Sequence, residues 1–203
     1  MKKIYYFLLL LASFGTLTAN AQQLTQQERD YATKLLNETH AEVFNAIKGL
    51  SEAQLKFKAS PDKWSVEECV KHIAAAETHL WKMADSALKL APNPEKRAGI
   101  PFTDEQLVAA VKDRTKKSKT FAALEPASSP YTTLKQALEA FTTKRKALIT
   151  YITNTKDNMR SHVLVLPMGT FDSYHFVLLI AAHTDRHVQQ IEEVKANPNF
   201  PKQ

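Results

Sequence analysis

The chain has 203 residues, of which 44% are hydrophobic and 24% charged, with a formal net charge of +6. That length suits one domain with a real core, and the composition excludes a largely disordered chain, a disulfide mini-protein and a large multidomain enzyme. The 4 glycines argue for helices and against tight-turned all-β folds or Gly-rich phosphate loops, both of which need positive φ.

The first residues read as a removable address. Lys2 and Lys3 precede an uncharged apolar run from Ile4 to Leu17, and Ala19-Asn20-Ala21 forms a small-x-small cleavage site before Gln22. The run is shorter than the ~20 residues needed to span a bilayer. A cleaved signal peptide is therefore expected over residues 1–21 and a single domain over 22–203. Cleavage removes Lys2 and Lys3 and with them part of the basic balance. The sole cysteine, Cys69, lies far from the junction, so it offers neither a lipidation site there nor an internal disulfide. The expected location is exported, and periplasmic if the source is a diderm bacterium.

Leu24-Thr25 with Glu28 gives a staple residue, an N-cap and a capping-box partner, predicting a first helix to about Leu50. Gly49 and the stretch from Ser51 to Trp64 end it. Ser65 with Glu68 predicts the next start, with Trp64 and Cys69 at the two positions of a hydrophobic staple. This second helix should run to about Lys89, with Val66, Val70, Ile73, Leu80, Ala84 and Leu88 as its apolar stripe. Proline-rich residues 91–101 break it. A shorter helix is predicted from Thr103, with Gln106 as box partner, fading in the basic stretch 112–119. A third long helix follows from Thr132 or Thr133 to Thr153. After a loop ending at Leu166-Pro167-Met168-Gly169, Thr170 or Asp172 caps the last helix, which continues to about Ala196.

Four long amphipathic helices and no strand run predict an all-α fold, a four-helix bundle. The connection from about Leu90 to Pro130 is long enough to cross the bundle, so helices two and three can run in the same direction.

The last helix carries His183 and His187 on the stripe Phe176, Ile180, His183, His187, Ile191 and Val194. Residues four apart share one helix face, ~6 Å between Cβ atoms, so both imidazoles can converge on one ion. Among 7 histidines roughly 0.2 such pairs arise by chance, so spacing alone is weak. The apolar stripe strengthens it, because two buried imidazoles without partners would each cost a few kcal/mol. Thr184 stands where a zincin would carry its glutamate. A catalytic metal needs a third ligand. His72 on helix two is the leading candidate; His79 lies two turns on, ~10 Å away, and Cys69 is the soft alternative. His40, His162 and His175 are expected to face solvent, and Glu77 and Asp185 to be solvated or to support the ligands from behind.

Together Trp64-Ser65, His72, the helix start Gly169-Thr-Phe-Asp-Ser-Tyr-His175, and His183-Thr-Asp-Arg-His187-Val-Gln-Gln190-Ile resemble the DinB-like superfamily over most of residues 24–196. The resemblance implies a four-helix bundle with a long crossover connection between helices two and three. It also implies a divalent metal ion, Zn, Ni or Fe, held by His72, His183 and His187, and this favours His72 over His79. Gln190 matches as a residue supporting the ligands or the packing.

Two functions follow. The first is a metal-dependent enzyme, a hydrolase or a thiol-dependent transferase, in which three neutral imidazoles leave the ion at +2 with an open position. The second is a non-catalytic metal- or ligand-binding bundle in which the ion staples helix two to helix four. The basic stretch Lys112, Arg114, Lys116, Lys117, Lys119 and the run Lys144-Arg145-Lys146 read as solvated helix faces, because acidic residues are interspersed and aromatics are not. The expected partner is a small-molecule substrate or ligand, with no nucleic acid and no stable membrane insertion; a homodimer is allowed.

Overall fold

A computed structural model describes residues 23–116 and 119–202. The predicted signal segment lies outside the described residues, as does Lys117. Reciprocal capping boxes open the helices where Ser or Thr precedes Glu or Gln by three. Thr25 and Glu28 start α1 (Gln26–Ile47), Ser65 and Glu68 start α3 (Val66–Leu88), Thr103 and Gln106 start α4 (Asp104–Lys112), and Thr133 and Gln136 start α5 (Leu134–Asn154). Each box satisfies two backbone N–H groups that the first helical turn leaves unpaired. Asp172 caps α6 (Ser173–Lys195), with His175 taking the usual glutamate's place: its Nδ1 accepts from the Asp172 N–H. Past the C-cap of α1, Gly49 turns the chain at a φ of +73°, the left-handed conformation glycine adopts without steric cost.

Two elements depart from the sequence reading. The segment expected to be a loop after Gly49 contains α2 (Glu52–Lys56), opened by its own box of Ser51 and Gln54. The loop before the last helix contains a hairpin, β1 (Val163–Leu166) paired antiparallel with β2 (Gly169–Asp172). Its register is held from outside, since the Asn93 side chain donates to the Val163 carbonyl and accepts from the Val163 N–H. Gly169 takes a φ of +140°, and a Cβ there would meet the Phe171 ring at 3.2 Å. Gly169→Ala is therefore expected to cost about 1 kcal/mol or more, measured by urea denaturation.

The four long helices, α1, α3, α5 and α6, form the bundle. The Tyr174 hydroxyl donates to the Glu28 carbonyl where α6 and α1 begin, and Lys195 reaches the Ala46 carbonyl where they end, so the two run parallel. Lys71 on α3 donates to the Thr132 carbonyl just before α5, so these two also start at a common end. Arg29 on the first turn of α1 donates to the carbonyls of Ile152 and Thr155 at the end of α5, which sets the pairs antiparallel. Helices two and three of the bundle thus run in the same direction, and the crossover between them carries α4, laid along α6.

Two apolar clusters fill the bundle. One gathers Leu36, Ala84, Leu148, Ile152, Tyr174 and Phe176; the other gathers Val43, Val66, Cys69, Ile73, Phe141 and Ile191. Between them lies a polar waist centred on Arg145, which is fully buried. This corrects the reading of residues 144–146 as one solvated face: Lys144 and Lys146 are exposed, Arg145 is not. All five guanidinium N–H groups are used. Nε and Nη2 donate to Glu77 at 2.9 and 2.8 Å, Nη1 donates to the Leu36 carbonyl and Thr39 Oγ1, each at 2.7 Å, and Nη2 donates to Thr184 Oγ1 at 2.9 Å. One side chain from α5 thereby ties down α1, α3 and α6. Glu77, expected to be solvated or behind a ligand, is instead the buried counter-ion of this waist.

At the hairpin end Arg160 gathers Glu28, Asp104 and Asp172 and lies over the Tyr174 ring, 4.1 Å from its centroid. His175, expected to face solvent, is buried there and donates from Nε2 to Asp104 at 2.9 Å. Burial pushes the Asp104 carboxyl up, but the hydrogen bonds of His175 and Arg160 and the Arg160 charge together hold it well below the usual carboxylate range. A depressed carboxylate stabilises the fold above its unfolded value, near pH 4, and that contribution fades as pH falls further. The stability gap between wild type and Asp104→Asn, read by denaturation at stepped pH, is expected to narrow on acidification below about pH 4.

Candidate metal centre

His72 lies in the second turn of α3, and His183 and His187 lie one turn apart on α6, which runs antiparallel to α3. The capping box at Ser65 sets the register that turns His72 inward, and the stripe of α6 turns the other two toward it. The Nε2 atoms of His72 and His187 each lie 3.2 Å from Nε2 of His183. All three ligand atoms fall within 4.8 Å of one another, and they are the one such group of three among the described residues. A tetrahedral ion with nitrogen ligands at about 2.0–2.1 Å sets adjacent nitrogens about 3.3 Å apart. The two 3.2 Å separations from His183 fit that donor set.

Tautomers sharpen the fit. The Nδ1–H of His72 donates to the Leu124 carbonyl at 2.8 Å, and that of His187 donates to Gln190 Oε1, also at 2.8 Å. With Nδ1 protonated, each neutral ring presents an Nε2 lone pair to His183. A proton on His183 Nε2 could bridge to one of them only, leaving another buried lone pair facing nitrogen; a cation satisfies all three. The rings are also held neutral. Burial, reinforced by the repulsion a charged His72 would exert and by the Arg186 charge, pushes His183 down to about 3. Burial also pushes His187 well below the usual range, with His183 and His72 adding to it, and lowers His72 against the opposing Leu124 hydrogen bond. His72 and His187 are buried, and His183 is the least buried of the three.

Trp64 forms one wall. Its indole stacks on His187 at 5.7 Å between centroids and tilts over His72 at 4.8 Å. Trp64 and Cys69 join one apolar cluster as the staple spacing suggests, but the indole's ring contacts are with the histidines. The Cys69 thiol is fully buried, and burial pushes it up to about 12, so it stays protonated and apart from the triad. His79, two turns further along α3, is exposed and apart from the triad. His40 is half-buried against Phe141, and His162 donates to or accepts at no metal-centre atom, its Nδ1–H bonding the Ala87 carbonyl. Neither faces open solvent as expected. Asp185 turns away from the triad to Lys112 and Gln189.

The family model described as the DinB superfamily matches residues 35–191. The chain belongs to the DinB superfamily. The uncharacterized protein YuaE of Bacillus subtilis strain 168 is 28% identical over 162 residues, covering 79% of this chain and 95% of YuaE. The solved structure of YfiT from Bacillus subtilis, described as a probable metal-dependent hydrolase with an unusual four-helix bundle topology, superposes with a TM-score of 0.58. It shares 15% identity and covers 86% of this chain and 89% of YfiT. At that identity the likeness establishes the fold, and the parallel pairing of bundle helices two and three in this DinB-superfamily chain is an arrangement a simple up-and-down bundle lacks. No helix among the described residues is long and apolar enough to cross a membrane.

Proposed function

We propose that this DinB-superfamily protein is exported and holds one divalent ion between His72, His183 and His187, acting as a metal-dependent hydrolase or transferase on a small molecule. The observation that carries the reading is the convergence of three neutral imidazoles, with the Nε2 atoms of His72 and His187 each 3.2 Å from that of His183 and both tautomers set from behind. The description of YfiT as a probable metal-dependent hydrolase supports hydrolysis as the first reaction to assay. A divalent ion held there supplies Lewis acidity, lowering the pKa of a bound water toward about 7 or polarising a carbonyl.

The chain's own residues do the rest. Leu124 and Gln190 orient His72 and His187, Trp64 excludes water from one side, and the substrate would reach the ion past His183, the least buried of the three. Arg145 holds Glu77 in place as a structural counter-ion, so no carboxylate of the waist is free to serve as a general base. A second reading is favoured by the burial of His72 and His187: the ion staples α3 to α6 without turnover.

Elemental analysis of the purified mature protein is expected to give one ion per chain, lost in His72→Ala, His183→Ala and His187→Ala. Stoichiometric metal retained in all three variants would sink the assignment. Rapid exchange with added cobalt favours the enzyme, and resistance to chelators favours the staple. Mass spectrometry of the protein secreted by its host is expected to place the mature N-terminus at Gln22; an intact Met1 would overturn export.

A further inference from the structure

The buried waist and the histidine triad share two helices. His72 and Glu77 stand on α3, roughly 7–8 Å apart along its axis, and Thr184 follows His183 directly on α6. A single nitrogen joins the two helices: Arg145 Nη2 donates to Glu77 Oε2 at 2.8 Å and to Thr184 Oγ1 at 2.9 Å. Arg145 Nε also donates to Glu77, at 2.9 Å, so the guanidinium plane is fixed on α3 by two bonds where it reaches α6. Arg145, Glu77 and Thr184 are each at most 2% exposed, so water does not compete for these bonds.

Such a link bears on a triad divided between those helices. Before an ion binds, at least one pair of Nε2 lone pairs in the triad faces each other with no proton between, which favours the rings moving apart. His72 and His187 are steadied from behind by the Leu124 carbonyl and Gln190, each at 2.8 Å. Among the described residues no hydrogen bond is formed to Nδ1 of His183, so the place of that ring depends on the placement of α6. Thr184, its neighbour, is pinned twice: the hydroxyl donates to the Ile180 carbonyl at 2.9 Å and accepts from Arg145.

We infer that Thr184 is a positioning residue: by receiving the Arg145 hydrogen bond it fixes α6 against α3 beside His183 and so pre-organises the three imidazoles for an ion. The inference rests on the metal-centre reading, but the ring spacing it explains is a property of the metal-free chain. Thr39 supplies a matched comparison. It is buried on α1, accepts from Arg145 Nη1 at 2.7 Å and donates to the Leu35 carbonyl at 2.8 Å, so the two threonines make the same kinds of bond to the same guanidinium. Only α6 carries ligands of the triad; α1 carries none.

Valine at either position keeps the shape and removes one hydrogen bond from a charged group, so the urea midpoints of Thr184→Val and Thr39→Val are expected to fall by similar amounts. A purely structural role for Thr184 then predicts equal consequences at the triad. Positioning predicts unequal ones. Zinc affinity of the mature protein, measured by competition with a chromophoric chelator, is expected to fall about tenfold in Thr184→Val, the lower end of what disturbing the support of a ligand costs. It should recover in Thr184→Ser, which keeps the hydroxyl, and stay within about twofold of wild type in Thr39→Val. In the metal-free protein, nuclear Overhauser effects between the ring protons of His72 and His183 are expected in wild type and Thr39→Val and should weaken in Thr184→Val. Equal zinc affinity or equal ring contacts in the two valine variants, or no such contacts in metal-free wild type, would overturn the inference. If wild type takes up no zinc, the metal reading falls and the ring contacts alone decide this one; should Thr184→Val not fold, Thr184→Ala against Thr39→Ala carries the same comparison.

Discussion

Replacing Arg145 with methionine is expected to lower the unfolding free energy by about 3–5 kcal/mol, the range for removing one partner of a buried ion pair. The cost comes from what remains. Glu77 would keep a carboxylate in the waist with no cation, and the Leu36 carbonyl and two threonine hydroxyls would lose a donor. Each threonine still donates to its own helix, Thr39 to the Leu35 carbonyl and Thr184 to that of Ile180, so the hydroxyls themselves are not stranded. Arg145→Met combined with Glu77→Leu should therefore recover most of the loss, since replacing both partners removes the desolvated charge. Chemical denaturation of the two single variants and the double variant measures this directly. A double variant no more stable than Arg145→Met would show that the hydrogen bonds of the waist, and not the stranded charge, dominate.

The stranded Glu77 charge has a pH signature. Burial already pushes the Glu77 carboxyl above its ordinary value, against the Arg145 charge and hydrogen bonds. A raised carboxyl gives stability that is fully present below the unfolded value and lost as pH rises through the folded one. Removing Arg145 takes away the opposing influence. The deficit of Arg145→Met relative to wild type is therefore expected to be largest near neutrality and to shrink on acidification, with the Glu77→Leu background abolishing the trend.

The second large effect is metal removal. Because the three imidazoles come from α3 and α6, an ion bound to them stabilises the folded chain by mass action. At free metal one hundred times the dissociation constant the gain is about 2.7 kcal/mol, which for a domain of this size raises the melting temperature by roughly 5–10 °C. Calorimetry of the mature protein with and without a chelator should show this shift. The shift should vanish in His183→Ala, whose Nε2 stands between the other two. A chelator-induced shift that survives in His183→Ala would place the stabilising ion elsewhere.

What could be read from the chain alone follows from short-range physics. Thr25, Ser65, Thr103 and Thr133 open helices because an N-cap and its box partner satisfy unpaired N–H groups within a few residues, with no help from the rest of the fold. The stripe on α6 placed His183 and His187 inward for the same local reason. Their partner was a different matter: helical periodicity left His72 and His79 both open, and the family resemblance favoured His72. In the bundle, the antiparallel pairing of α3 with α6 brings His72 to the pair and leaves His79 outside.

Long-range contacts decided the rest. Arg145 sits between two exposed lysines and reads as part of a solvated run; its burial depends on Glu77, Thr39 and Thr184 arriving from three other helices. Arg186 likewise looks like one more surface cation until the carbonyls of Val111, Asp113 and Lys116 in the crossover engage it. The hairpin of β1 and β2 is too short for alternation to reveal, and Asn93, seventy residues earlier, completes it. Spacing within a helix is set by the backbone and is visible in sequence. Which charge meets which, and which face is buried, is set by the packing of elements far apart in the chain, and only the tertiary structure holds that information.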